Sequence, residues 1–268
     1  MCDAAIVLEA CNVSYLAGGN RLVDGASLTL CAGEVVGLLG PNGAGKSTFL
    51  KLVSAELIPA AGSIKLNGHD VQSLTAAQLA GMRAVVAQSS DLTFPFTAAE
   101  VVRLGATVPG FDIAMPTVDA ACRTALRAVD LDHLALRSYP TLSGGERQRV
   151  QIARALCQLA TSRRPGGNAP LILLDEPTSS LDIAHQRMVL DVVKAQAQSG
   201  AAVLAVLHDI NLAAVACDRL IVMRQGRILA AGTPKEVVTS SILSAAYGCT
   251  ITANALPSGE VPFALPFC

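Results

Sequence analysis

The sequence predicts an α/β fold in which a parallel sheet is covered by helices, with a helical lobe inserted partway along the chain. Three observations carry that expectation. Short apolar runs end in polar residues, as in "VVGLLG", "LILLDE" and "AAVLAVLH". Helical patterns alternate with these runs, as in strands joined by helical crossovers. The strand ends carry glycine-rich and acidic residues, where open α/β sheets collect ligands.

Composition narrows the partners. The 268 residues are 51% hydrophobic, enough for a large core in one domain with a lobe. Only 15% are charged and the formal net charge is -1, so no basic field points to nucleic acid. Trp is absent, which argues against a base-stacking surface. The apolar runs fall far short of the roughly 20 residues of a membrane helix. The N-terminal "MCDAAIVLEA" lacks a basic region and a long apolar stretch, so no signal peptide is expected. Eight cysteines are scattered without a CxxC pair, which favours reduced, buried thiols over disulfides or zinc.

The elements follow in order. "AIVLEACNVSYL", "ASLTLCAGEVVGLLG" and "GSIKLNGHDV" read as strands bounded by Gly or Asn. "KSTFLKLVSAEL" from Lys46 is helical, and "AVVAQ" (Ala84–Gln88) is a strand. From Asp91 to Ala160 the pattern is mostly helical, an inserted lobe with "TAAEVVRLGA" and "AACRTALRAVDL" joined by a loop around Pro109 and Gly110. "TSRRPGGNAP" (Thr161–Pro170) is a polar breaker. Strand "LILLDE", a helix from about Ala184, strand "AAVLAVLH", a helix from about Asn211 and strand "RLIVMRQGRIL" complete the alternation. The tail from Thr250, interrupted by Pro257, Pro262 and Pro266, reads as an extended surface strap.

"GPNGAGKST" (Gly40, Pro41, Asn42, Gly43, Ala44, Gly45, Lys46, Ser47, Thr48) matches the phosphate-binding P-loop and sits between a strand and a helix, as that motif requires. Its glycines let backbone amides curl around phosphate, Lys46 reaches the β/γ-phosphates, and Ser47 holds Mg²⁺. Asp175 and Glu176 end the apolar run "LILLDE". Asp175 supports the Mg²⁺, and Glu176 polarises a water for attack on the γ-phosphate. His208 follows another buried strand and is placed to align that water with Glu176. Gln88, at the end of its strand, is placed to sense Mg²⁺ or water and pass that state to the lobe.

A second anion site is written into "LSGGERQRV" (Leu142–Val150). Ser143 and Glu146 have the spacing of a capping box. Gly144 and Gly145 are poor helix formers in the first turn, but they leave amides bare at the positive end of a helix.

In this order the P-loop, Gln88, Leu142–Glu146, Leu171–Glu176, Ser180-Leu181-Asp182 and His208 resemble the ATP-binding subunit of ABC transporters, over nearly the whole chain. The resemblance implies a P-loop NTPase (RecA-like) core formed by 1–90 and 161–249, with an N-terminal antiparallel β subdomain. It implies a helical lobe at 91–160 and a tail at 250–268. It implies ATP and Mg²⁺ as ligands, and Tyr15 stacked on adenine, a half-buried strand aromatic being the alternative reading. It implies a head-to-tail dimer, in which Ser143, Gly144 and Gly145 of one copy meet the γ-phosphate on the other copy's P-loop. Asp182 lies across that interface.

With one ATPase set and no membrane span, the chain resembles a separate subunit that docks on transmembrane permease subunits at the cytoplasmic face of a bacterial inner membrane. "SSDLTFPFTAAEVVRLG", "LDEPTSSLDIAHQ" and "VPFALP" look like the ATPase subunits of bacterial hemin importers, in the iron-chelate and vitamin B12 group. A periplasmic binding protein is then an indirect partner, and nucleic acid is not one. Importers of another iron chelate or of cobalamin, and exporters, remain alternatives. A soluble ABC protein acting on ribosomes or DNA expects two ATPase sets, a coiled coil or a basic surface. Phe94 and Phe96 flank Pro95 and are either core of the lobe or a groove for a permease helix.

Overall fold

The computed structural model describes residues 4–88, 94–107, 113–162 and 168–255. The first strands, β1 (Ile6–Ala17) and β2 (Asn20–Cys31), form a long antiparallel pair. β3 (Val35–Leu39) carries the P-loop into helix α1 (Lys46–Val53). β4 (Ala61–Leu66) and β5 (His69–Asp70) are joined through Asn67 and Gly68, both at positive φ, as an Asn-Gly hairpin requires. Then come α2 (Ala76–Met82), β6 (Arg83–Val86), α3 (Ala98–Arg103), α4 (Met115–Ala128) and α5 (Gly144–Thr161). The alternation resumes with β7 (Leu171–Asp175), α6 (Ile183–Gln198), β8 (Ala202–Val206), α7 (Ile210–Ala216) and β9 (Arg219–Arg224). β10 (Arg227–Gly232), α8 (Pro234–Val237) and α9 (Ser240–Tyr247) complete the series.

Two sheets result, with strand orders β2-β1-β4-β5 and β10-β9-β3-β8-β7-β6. The first is antiparallel. In the second, every pairing is parallel except that of β9 with β10. Alternation along its central strands builds two cores, because successive side chains leave a strand on opposite faces. Val35 and Leu39 join a core with the helices of the lobe, together with Ile172 and Leu174. Val36 and Leu38 join the other, with α1 and the antiparallel sheet, together with Leu171 and Leu173. The strands are buried on both faces, which is why they read as unbroken apolar runs.

Some expectations change. "RLIVMRQGRIL" is a hairpin rather than one strand, turning at Gln225 and Gly226, both at positive φ. β6 stops at Val86, so Gln88 stands two residues past its strand. Cys11, Cys122, Cys157, Cys217 and Cys249 are free thiols. Cys31 is disulfide-bonded, against the expectation of reduced thiols throughout. The strap expected at Pro257, Pro262 and Pro266 lies outside the described residues, as does the centre of the 161–170 breaker.

Candidate functional site

The P-loop wraps the N-terminus of α1 and lines a cavity of about 590 Å³ with residues 42–48, Gln88, Glu176 and His208. Gly45 is the N-cap of α1 at φ +97, and no side chain caps the helix, so its first amides are left for a ligand. Gly45 also brings two segments into contact. A Cβ there would lie 2.3 Å from the Leu22 carbonyl, so the loop presses directly on β2.

Lys46 is 6% exposed, and its ammonium donates to the carbonyls of Gly40 (2.7 Å) and Pro41 (3.0 Å). Burial pulls its pKa down, while Glu176 and Asp175 oppose the shift. The Ser47 hydroxyl donates to Asp175 Oδ1 at 3.1 Å. Asp175 is 4% exposed, and burial pushes its carboxyl up, against the Ser47 hydrogen bond and the nearby lysines. A buried carboxylate beside a hydroxyl at the carboxyl edge of the sheet is chemistry suited to a divalent cation, so the residues fit Mg²⁺. Among the described residues no group of three or more His, Cys, Asp and Glu is placed to hold a metal, so a cation here would rest on Asp175 and the Ser47 hydroxyl together with its ligand.

Glu176 is gripped at both oxygens. Gln88 Nε2 donates to Oε2 at 2.8 Å, and His208 Nε2 lies 2.6 Å from Oε1. Its backbone sits at φ +52, a conformation costly for a residue with a Cβ and one that collects at functional sites. Gln88, expected beside the cation, has its amide nitrogen on Glu176 instead. His208 reaches the glutamate directly.

Tyr15 does not line the cavity. It pairs with Val23, next to the Leu22 that abuts Gly45, so it stands at the P-loop's outer edge, half-buried. Ser143, Gly144 and Gly145 do not line the cavity either. Ser143 caps α5 in the expected capping box with Glu146. A Cβ on Gly145 would lie 2.9 Å from the Ser180 carbonyl, so the start of α5 is seated on the segment that leads into α6. Asp182 caps α6 by accepting from the His185 amide (2.9 Å), and its Oδ1 also meets His185 Nδ1 at 2.8 Å. His185 thus holds Asp182.

The Asp175 carboxyl is raised above its ordinary value of 3.8, so the fold favours its protonated form. Its contribution to stability is full below 3.8 and is lost as the pH rises past the raised value. Asp175→Asn should therefore melt a few degrees higher than wild type near neutral pH without nucleotide, the gap closing in acid. The same variant should lose the Mg²⁺ dependence of nucleotide binding. Earlier melting at neutral pH would show the carboxylate to be a net stabiliser.

The ABC transporter family profile matches residues 23–179, more than half of the chain. A hemin import ATP-binding protein (HmuV) of Mesorhizobium japonicum is 44% identical over 97% of this chain and 98% of its own length. The protein of that name from Rhizobium meliloti is 40% identical over 97% and 98%. Among solved structures, a putative metal-chelate type ABC transporter in an inward-facing conformation superposes with a TM-score of 0.74. It is 26% identical and is covered over 90% of this chain and 88% of that one. A dimeric ATP-binding cassette in a post-hydrolysis state, bound to ADP and Pi, gives a TM-score of 0.74 at 27% identity, over 85% of this chain and 98% of that one. By its profile match, its relatives and its fold, the chain belongs to the ABC transporter family as an ATP-binding domain.

Proposed function

We propose that this chain is the ATP-binding and hydrolysing subunit of an importer that carries hemin across the bacterial inner membrane, working as a head-to-tail pair on the cytoplasmic face. The observation that supports it best is the division of the phosphate ligands. The α1 start and Lys46 face a cavity of the chain's own. The bare amides of Gly144 and Gly145 stand outside that cavity, beside Ser180. A second anion site is useful there if it closes on a phosphate held by another copy.

Within one site the roles divide by chemistry. Lys46 and the α1 amides bind the phosphates, and Tyr15 stacks on the adenine. Ser47 and Asp175 would hold Mg²⁺, with Gln88 nearby, and the cation would supply positive charge against the charge that develops in phosphoryl transfer. Glu176 takes the proton of the attacking water, and His208 keeps that carboxylate oriented. Ser143, Gly144 and Gly145 of the second copy complete the γ-phosphate site, and Asp182 couples the two sites across the interface. ATP then holds the copies together and hydrolysis releases them.

No helix among the described residues is long and apolar enough to cross a membrane, and in the proposed importer the transported molecule passes through separate permease subunits. The hemin cargo rests on the names of the relatives, and a periplasmic binding protein would deliver it. The ring of Phe94 is 68% exposed, while Phe96 packs against the lobe's core 6.0 Å away, centroid to centroid. The pair therefore divides between the two roles open to it, Phe96 as core and Phe94 as the permease anchor.

Glu176→Gln should keep ATP binding, lose turnover by at least about 100-fold, and collect with Mg²⁺-ATP as a dimer on size exclusion. Turnover near wild type would remove Glu176 from its role. In vesicles holding the co-purified permease, the wild type should drive ATP-dependent hemin uptake. Phe94→Ala should melt normally and hydrolyse ATP alone, yet drive little uptake. Uptake of another chelate but not hemin would correct the cargo, and normal uptake by Phe94→Ala would move the docking surface.

A further inference from the structure

The P-loop, β2 and the β9–β10 turn meet at Gly226. This glycine is the second turn residue of the hairpin, at φ +79, and it is buried although Gln225 and Arg227 on either side are exposed. Its amide donates to the Ala44 carbonyl of the P-loop at 2.9 Å. Its own carbonyl accepts from the Asp24 amide of β2, also at 2.9 Å. The next side chain repeats the link to β2, since the Arg227 guanidinium meets Asp24 Oδ2 at 2.6 Å. A Cβ on Gly226 would lie 2.9 Å from the Leu22 carbonyl, the atom that a Cβ on Gly45 would meet at 2.3 Å.

A hairpin turn does not by itself demand so close an approach. Gly68 holds the matching position in the β4–β5 hairpin, at φ +80, and a Cβ there would meet nothing within 4 Å. Both glycines satisfy the positive φ of their turns. Only Gly226 is also wedged between two other segments.

Fixing the Ala44 carbonyl fixes the other end of its peptide. A peptide unit is planar and trans, so its carbonyl and its N–H point in opposite directions. The Ala44 carbonyl and the Gly45 N–H belong to one such unit. Gly226 does not line the cavity of residues 42–48, so a carbonyl turned to Gly226 leaves the Gly45 N–H turned to the cavity. Amides of this loop are the groups that cradle phosphate. Resting on the ATPase reading above, we infer that Gly226 is a positioning residue of the nucleotide site, whose amide locks the Ala44–Gly45 peptide so that the Gly45 N–H faces the phosphates. The β9–β10 turn thereby preorganises the loop without touching nucleotide, and no ordering of that peptide is left to be made on binding.

The test compares Gly226→Ala with Gly68→Ala. Both put alanine at the same strained turn position, so both should melt earlier than wild type. Only Gly226→Ala must push the hairpin off the Leu22 carbonyl and so off Ala44. Its affinity for ATP and for ADP should fall at least about tenfold, the size of one hydrogen bond to a charged group. The KM for ATP should rise in step while kcat changes less than about twofold, because the amide holds phosphate in ground state and transition state alike. Gly68→Ala should keep wild-type affinity. A second measurement needs no variant: in the wild type, hydrogen exchange of the Gly226 amide should slow when ADP binds, since the coupling is reciprocal. Wild-type ATP affinity in Gly226→Ala, an equal loss in both variants, or Gly226 exchange unchanged by ADP would overturn the proposal while leaving the ATPase reading intact. Absence of ATP binding by the wild type would overturn both.

Discussion

The buried ammonium of Lys46 is the charge on which the site depends. It stands at the positive end of α1, nearly sealed from water, and is held by the carbonyls of Gly40 and Pro41. Desolvation at this point is costly, and part of that cost is offset by the carboxylates of Asp175 and Glu176 at the end of β7, two strands from β3. On the proposed reading a phosphate chain completes the balance, since it brings the negative charge that both the ammonium and the uncapped amides lack. The two sheets serve this arrangement. β3 and β7 deliver the P-loop and the acidic pair to one edge, while β2 presses its Leu22 carbonyl against Gly45 and fixes the loop's outer wall.

The same geometry sets two helix starts with similar chemistry in different surroundings. α1 opens into its own cavity. α5 opens beside Ser180 and Leu181, held there because Gly145 has no side chain to keep the segments apart. That segment ends in Asp182, itself pinned by His185 at the start of α6. The start of α5 and the start of α6 therefore form one unit. Glu176 has both carboxylate oxygens engaged, by Gln88 and His208.

Most of the site was legible because its chemistry is local in sequence. The P-loop glycines, the acidic pair after "LILL" and the Ser143–Glu146 capping box each announce themselves within a few residues. The burial of both faces of β3, β7 and β8 was legible too, as runs without polar alternation. What escaped was written in weaker or nonlocal terms. The turn at Gln225-Gly226 lacks the Asn that marks Asn67-Gly68, so a hairpin read as one strand. Helices α2, α8 and α9 were missed although Thr75 with Gln78, Pro234 and Gly248 mark their ends, because each is short and its periodicity is brief.

The central claim is that a complete phosphate site takes its P-loop from one copy and its Ser143–Gly145 turn from another. Mixing two inactive variants, Lys46→Ala and Ser143→Arg, tests it most directly. A mixed pair contains one site in which both defects meet and one site in which the intact P-loop of the second variant faces the intact turn of the first. The account predicts that each variant alone is inactive and that the mixture hydrolyses ATP. If the mixture stays as inactive as its components, while size exclusion confirms that mixed pairs form, each chain uses its own turn and the account is wrong.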